Sequence, residues 1–112
     1  MTTRSIQWAG SSLRDIRAFP DDARRLLGQE LRRLQLGLDP IHWRPMQTVG
    51  TGVREIRVRT GRAYRLIYWT EDREAMHVLH VFEKRSPKTS GLDLELARAR
   101  LRHLRGHQTG RA

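Results

Sequence analysis

Apolar positions change period several times along this chain, and each change marks an element. In RSIQW (4–8), Ile6 and Trp8 alternate with polar neighbours, the spacing of a short strand. In GSSLRDIRAF (10–19), Leu13, Ile16 and Phe19 recur at helical spacing, Ser11 or Ser12 can cap the helix, and Asp15 stands three residues beyond Ser12. Pro20 stops that helix and suits the first turn of the next, where Asp21 and Asp22 complement the N-terminal dipole. Ala23, Leu27, Leu31 and Leu34, with Leu26 beside them, then form one apolar stripe, while Arg24, Arg25, Arg32 and Arg33 fall mostly on the opposite side. Gly37 is a C-terminal stop. The pattern predicts a helical hairpin that turns at Pro20.

Residues 38–52 (LDPIHWRPMQTVGTG) show no period and hold two prolines and two glycines, so they read as a loop anchored by Trp43 and Met46. Three strands follow, at 53–60, 63–70 and 75–83. They are joined by a tight turn at Thr60-Gly61-Arg62 and a polar turn at Glu71-Asp72-Arg73-Glu74, which favours antiparallel hairpins. After KRSPKTSG, Ser90 can cap a last helix with Asp93 at capping-box spacing and Leu94, Ala97, Leu101 and Leu104 on one face. Residues 106–112 are expected to fray. The order β-α-α-β-β-β-α implies an α+β fold: a small antiparallel sheet of about four strands, an N-terminal helical hairpin and a C-terminal helix. At 112 residues the chain is read as one domain, 1–112.

Charge sharpens this picture. Twenty-two Lys+Arg against twelve Asp+Glu leave a formal +10, and the only lysines are Lys84 and Lys88. Arginine offers a planar fork that grips phosphate bidentately and stacks on bases, so a polyanionic partner is expected, although arginine-rich coding could supply part of the bias. With no cysteine there is no disulfide framework and no cysteine-ligated metal. No apolar run approaches the roughly 20 residues of a membrane span, and the first residues hold no signal-like apolar segment; the expectation is a cytoplasmic domain without membrane association.

Alternation sorts the cations of VREIRVRTGRAYRLIYW (53–69). Ile56 and Val58 face one way and Glu55, Arg57 and Arg59 the other, with Arg54 separated from the last two and Arg62 in the turn. Arg65 shares its face with Ala63, Ile67 and Trp69. An arginine among apolar neighbours is costly to desolvate unless an anion meets it, and either a bound phosphate or Glu55 across the strands could be that anion. EKRSPKT (83–89) adds Lys84, Arg85 and Lys88, either as an exposed basic turn or as cations aimed into the same groove as Arg57 and Arg65. His77 and His80, three apart on a strand, are expected on opposite faces, which excludes joint metal binding. His103 and His107 lack a third ligand. No phosphate-binding glycine loop or nucleophile elbow occurs, so no metal or cofactor site is expected.

The succession GVREIRVR, YRLIYW, VLHVFEKRSPKTS and DLELARAR resembles the RelE/ParE toxin superfamily, most closely its phage-derived HigB-like branch. The resemblance spans nearly the whole chain. It implies the toxin of a type II toxin–antitoxin system: a ribosome-dependent endoribonuclease that cuts mRNA in the A site and is neutralised by a cognate antitoxin, a HigA-like helix-turn-helix protein. It carries catalytic roles to Arg57, to Arg65 as the contact to the scissile phosphate, and to Lys84 (or Arg85) and Lys88 after the last strand. Arg54, Arg59, Arg62 and Arg85 are the expected RNA-binding cations. Glu55 stands where relatives can have a second lysine, and the C-terminal tyrosine of some members has no counterpart after Lys88 and Thr89.

The implied chemistry uses the RNA's own 2′-hydroxyl as nucleophile and needs no metal. Lys84, Lys88 or His80 could move the proton, although His80 also reads as an ordinary strand histidine. An acidic or amphipathic antitoxin segment laid across residues 54–65 would cover the cations. Two other readings stay open: a ParE-like protein that inhibits DNA gyrase by binding, and a degenerate homologue that only binds its antitoxin.

Overall fold

The structure is a computed structural model that describes residues 3–70 and 74–109, with the side chains of 107–109 excepted. Its elements are β1 (Ser5–Trp8), α1 (Ser12–Arg17), α2 (Asp21–Gln35), β2 (Trp43–Pro45), β3 (Val53–Arg59), β4 (Ala63–Trp69), β5 (Ala75–Lys84) and α3 (Gly91–Thr109). The α+β class and the expected succession of helices and strands are present. The sheet has the order β1-β5-β4-β3-β2. It is mixed where a wholly antiparallel one was expected, because β1 pairs with β5 in parallel. The α1–α2 hairpin that follows β1 supplies the long connection such a parallel arrangement needs.

A fifth strand, β2, lies inside the segment read as a loop and pairs with β3 through Trp43↔Ile56, Arg44↔Glu55 and Pro45↔Arg54. It is a three-residue edge strand containing a proline, so neither period nor composition announces it. The expected turn at 71–74 falls on residues 71–73, outside the described residues. Helix α3 runs to Thr109, beyond the expected stop at Gly106.

Two apolar layers hold the sheet. On one face Ile16, Ala23, Leu27, Leu31 and Leu34 of the hairpin pack on Ile56, Val58, Tyr64, Leu66, Tyr68, Met76, Val78 and Val81. On the other, Ala97 and Leu101 of α3 meet Val53, Ile67, Trp69, Leu79 and Phe82. The amphipathic stripe of α2 is what buries the first face. The end of α2 closes as a Schellman motif: Leu38 N donates to Arg33 O at 2.9 Å and Gly37 N to Leu34 O at 3.0 Å, with Gly37 at φ +81°. Ser90 caps α3 as expected, accepting from Asp93 N at 3.1 Å and donating to Asp93 Oδ2 at 2.6 Å.

The alternation expected in β5 is broken. Ile67 pairs with His80 but Tyr68 with Val78, so Leu79 is an extra residue in the strand, a β-bulge. Residues beyond it are shifted by one face. His77, opposite Trp69, and His80, opposite Ile67, therefore lie on the same face, which corrects the expectation that they point apart. They still do not form a metal centre: His80 Nε2 is 2.7 Å from Asp93 Oδ1 and its ring stacks on Phe82, while His77 lies against Trp69. Among the described residues no group of three or more His, Cys, Asp or Glu could hold a metal ion.

Candidate functional site

Helix α3 covers only part of its sheet face. Val53, Ile67, Trp69, Leu79 and Phe82 lie beneath it, and the far ends of β3, β4 and β5 stay open. Register fills that open end with cations. Arg57 stands directly opposite Arg65, which stands opposite Phe82, and in the next row Arg59, Ala63 and Lys84 are aligned. Arg57, Arg59, Ala63, Arg65 and Lys84, together with Arg85, Ser86 and Pro87, line a groove of about 460 Å³. Like charges directly opposite on a sheet are destabilising, so the Arg57–Arg65 pair needs a compensating anion.

Glu55 is that anion. Its side chain is wholly buried, and one oxygen, Oε1, lies 3.2 Å from Arg57 Nε, 3.4 Å from Arg44 Nε and 3.6 Å from Arg65 Nε. Of the two anions weighed for Arg65, the protein itself provides one. Arg65 is 12 % exposed and also donates from Nη1 to Tyr64 O at 3.2 Å. Burial pushes its guanidinium below the ordinary value, Glu55 pulls the other way, and Arg57 and Arg44 add to the lowering. Arginine remains protonated through any such shift near neutrality. Lys84 is lowered as well, first by burial and then by Arg65. A lysine depressed in this way sits nearer the range where it can give up a proton.

The remaining expected cations divide. Lys88 lines an adjoining hollow of about 230 Å³ with Lys84, Arg85 and Asp93, next to the groove and not in it. Arg62 stays in the β3–β4 turn, 72 % exposed and 3.5 Å from Glu83. Arg54 is not part of the groove. It occupies an even position of β3, so it faces the hairpin side, bonds Asp39 at 3.0 Å and lies 4.0 Å over the ring of Trp43. Nor does His80 reach the groove as a proton carrier, since its Nε2 is committed to Asp93 at the start of α3.

Beyond the Arg57–Arg59 edge of β3, which β2 leaves uncovered, lies a second cleft of about 500 Å³ lined by Leu26, Gln29, Ile41 and His42. Its wall is fixed by Glu30, 5 % exposed, whose carboxylate accepts from the backbone N of Ile41 and His42 at 2.9 and 3.0 Å. His42 O in turn accepts from Arg57 N at 3.0 Å. Sequence reasoning missed Arg44 and Glu30. Arg44 lay in an aperiodic segment, and Glu30 looked like one more polar residue of α2; only an acid inside an otherwise apolar helical stripe hinted at it.

A mixed five-stranded sheet held between the α1–α2 hairpin and α3, with an open, arginine-lined end, defines this α+β domain. The free-state structure of an arginine-to-alanine double mutant of E. coli toxin RelE superposes with a TM-score of 0.60, covering 92 % of this chain and 98 % of that one at 17 % identity. At that identity the likeness is one of fold. The family model described as phage derived protein Gp49-like (DUF891) matches residues 14–102, and the chain belongs to that family. Family and fold together place it in the RelE-type toxin superfamily, as its motifs implied. No curated protein matches this sequence.

Proposed function

We propose that this chain is the toxin of a type II toxin–antitoxin module and that it cuts mRNA on the translating ribosome, in the cytoplasm. The observation that supports this reading best is the convergence of Arg57, Arg59, Arg65, Lys84 and Arg85 on one open groove. The RNA's 2′-oxygen attacks the adjacent phosphorus, its proton passing to water or to a ribosomal group. The bond from phosphorus to the 5′-oxygen breaks, leaving a 2′,3′-cyclic phosphate and a 5′-hydroxyl. Arg57 and Arg65 hold the backbone in line and take up charge on the phosphorane. Lys84 protonates the departing 5′-oxygen, a role that an arginine fills poorly. Lys88 and Arg85 lie along the path of the flanking RNA. A helix-turn-helix antitoxin would silence the toxin by covering the groove or by excluding it from the ribosome.

Primer extension on mRNA in a translating extract tests the reading. Wild-type protein should give discrete cleavage sites that vanish when ribosomes are removed. Lys84→Ala, with an unchanged fold, should lower the rate about 100-fold, the low end of what a positioned general acid contributes. Intact mRNA together with loss of gyrase supercoiling would instead make the protein a gyrase inhibitor. Intact mRNA and normal supercoiling, with antitoxin still bound, would make it a degenerate homologue.

A further inference from the structure

Glu55 reaches its arginines from three directions. Arg44 is its direct partner across to β2, Arg57 is two residues on along β3, and Arg65 comes diagonally from β4. All three present Nε to the same oxygen, Oε1, at 3.2 to 3.6 Å. Among the described residues the terminal fork of each guanidinium is thereby left for another acceptor, apart from the Arg65 Nη1 bond to Tyr64 O. Arg44 and Arg57 are 47 % and 36 % exposed, so these side chains are open to a ligand while the carboxylate that orders them is not. Glu55 itself is closed off: it has no exposed surface, and Oε2 has no hydrogen-bond partner among the described residues. A carboxylate so enclosed cannot touch a 2′-hydroxyl. It can act only through the arginines.

We propose that Glu55 is a positioning residue that organises Arg44, Arg57 and Arg65 into a three-arginine clamp for one backbone phosphate of single-stranded RNA, with Arg44 contributed by the edge strand as a phosphate ligand. The proposal rests on the nuclease reading above. Three guanidiniums against one carboxylate leave two positive charges at the clamp. A phosphodiester carries one negative charge and the phosphorane formed by an attacking alkoxide carries two, so the clamp matches the transition state better than the ground state. Misplacement of such groups by about 1 Å can cost roughly 100-fold in rate.

Two variants, read by kinetics, by arginine Nε–H resonances and by RNA binding, test it. In Glu55→Gln the shape is kept and the charge is lost; turnover should fall about 100-fold while KM moves less than about 3-fold. The Nε–H resonances of Arg44, Arg57 and Arg65 in the free protein should shift together and exchange faster with water. Arg44→Ala, a change at the half-exposed edge, should weaken binding to a single-stranded RNA oligomer at fixed salt about 10-fold, the loss of one charge-assisted contact. Arg57 and Arg65 still neutralise the phosphate, so the salt slope stays near that of the wild type. Wild-type turnover in Glu55→Gln, wild-type oligomer affinity in Arg44→Ala, or Nε–H resonances that do not respond to Glu55 would each overturn the clamp. So would a fall in turnover that merely tracks a fall in melting temperature, since that is a structural role. If wild-type protein cleaves no mRNA, the nuclease reading fails by itself, and the resonances and the oligomer binding still decide the clamp.

Discussion

Lys84 carries opposite consequences for stability and for activity. Its pKa is lowered in the folded protein, chiefly by burial and then by Arg65, so the charged form is less favourable folded than unfolded. The sign follows directly. Below the folded-state pKa the charged lysine costs stability, and that cost disappears as pH rises through the folded value toward the unfolded one. Lys84→Met should therefore raise the melting temperature at neutral pH while lowering the cleavage rate about 100-fold, the trade expected where a site is built from mutually repelling cations. For activity, protonated Lys84 is the required form of a general acid, so the rate should fall on an alkaline limb set below the lysine's ordinary range. Lys84→Arg, which stays protonated, should lack that limb. A limb of the same position in both proteins would remove Lys84 from the proton transfer.

At the scale of elements, the bulge in β5 is the device that makes both faces work. One extra residue at Leu79 lets the strand present Met76 and Val78 to the hairpin and then His80 and Phe82 to the α3 side. The backbone it frees does not go unpaired. Arg100 of α3 donates from Nη1 to Leu79 O at 2.8 Å and from Nη2 to Ser11 Oγ at 3.0 Å, joining α3, the bulge and the start of α1. Its guanidinium also packs against Gly10, where a side chain would meet Arg100 Nε at 2.6 Å. Arg100→Met keeps the apolar stem and removes both bonds; it should destabilise the protein by about 2 kcal/mol, the usual weight of a hydrogen bond to a charged group. Urea unfolding checks this. A change within about 0.5 kcal/mol, the range of ordinary surface substitutions, would mean that the bulge holds itself.

Across the whole molecule, the formal charge of +10 is spread widely, but the fold concentrates what the groove can use. Arg54 is tied to Asp39 and Arg100 to the bulge, whereas Arg57, Arg59, Arg65, Lys84 and Arg85 face one opening. If the three-arginine clamp neutralises one phosphate and Arg59, Lys84 and Arg85 one each, the logarithm of the affinity for single-stranded RNA should fall with the logarithm of salt with a slope of about −3. A slope near −1 would mean that the groove does not track an RNA backbone. Antitoxin binding over the same cations should flatten the dependence, which titration of the complex with the same oligomer would read.

The sequence by itself determined the elements and the class. The stripe Ala23, Leu27, Leu31 and Leu34 can be buried only as a helix face, and the alternation of 53–60 and 63–70 can be buried only as strands, because side-chain direction follows backbone period. Hence Arg57 and Arg65 were legible as face-sharing cations, and the toxin superfamily as the order of short motifs around them. The tertiary structure alone decided the rest. Edge strand β2 forms only because β3 offers it backbone partners, so Arg44 had no address in the sequence. The bulge at Leu79 reverses the facing of His80 with no change in composition to announce it. Glu55, which stood out as a missing lysine and as a cross-strand candidate to pair Arg65, became the centre of the site because three strands converge on it. Period records which way a residue points along its own strand; what it meets there is set by register with the neighbours, and that is fixed only when the chain folds.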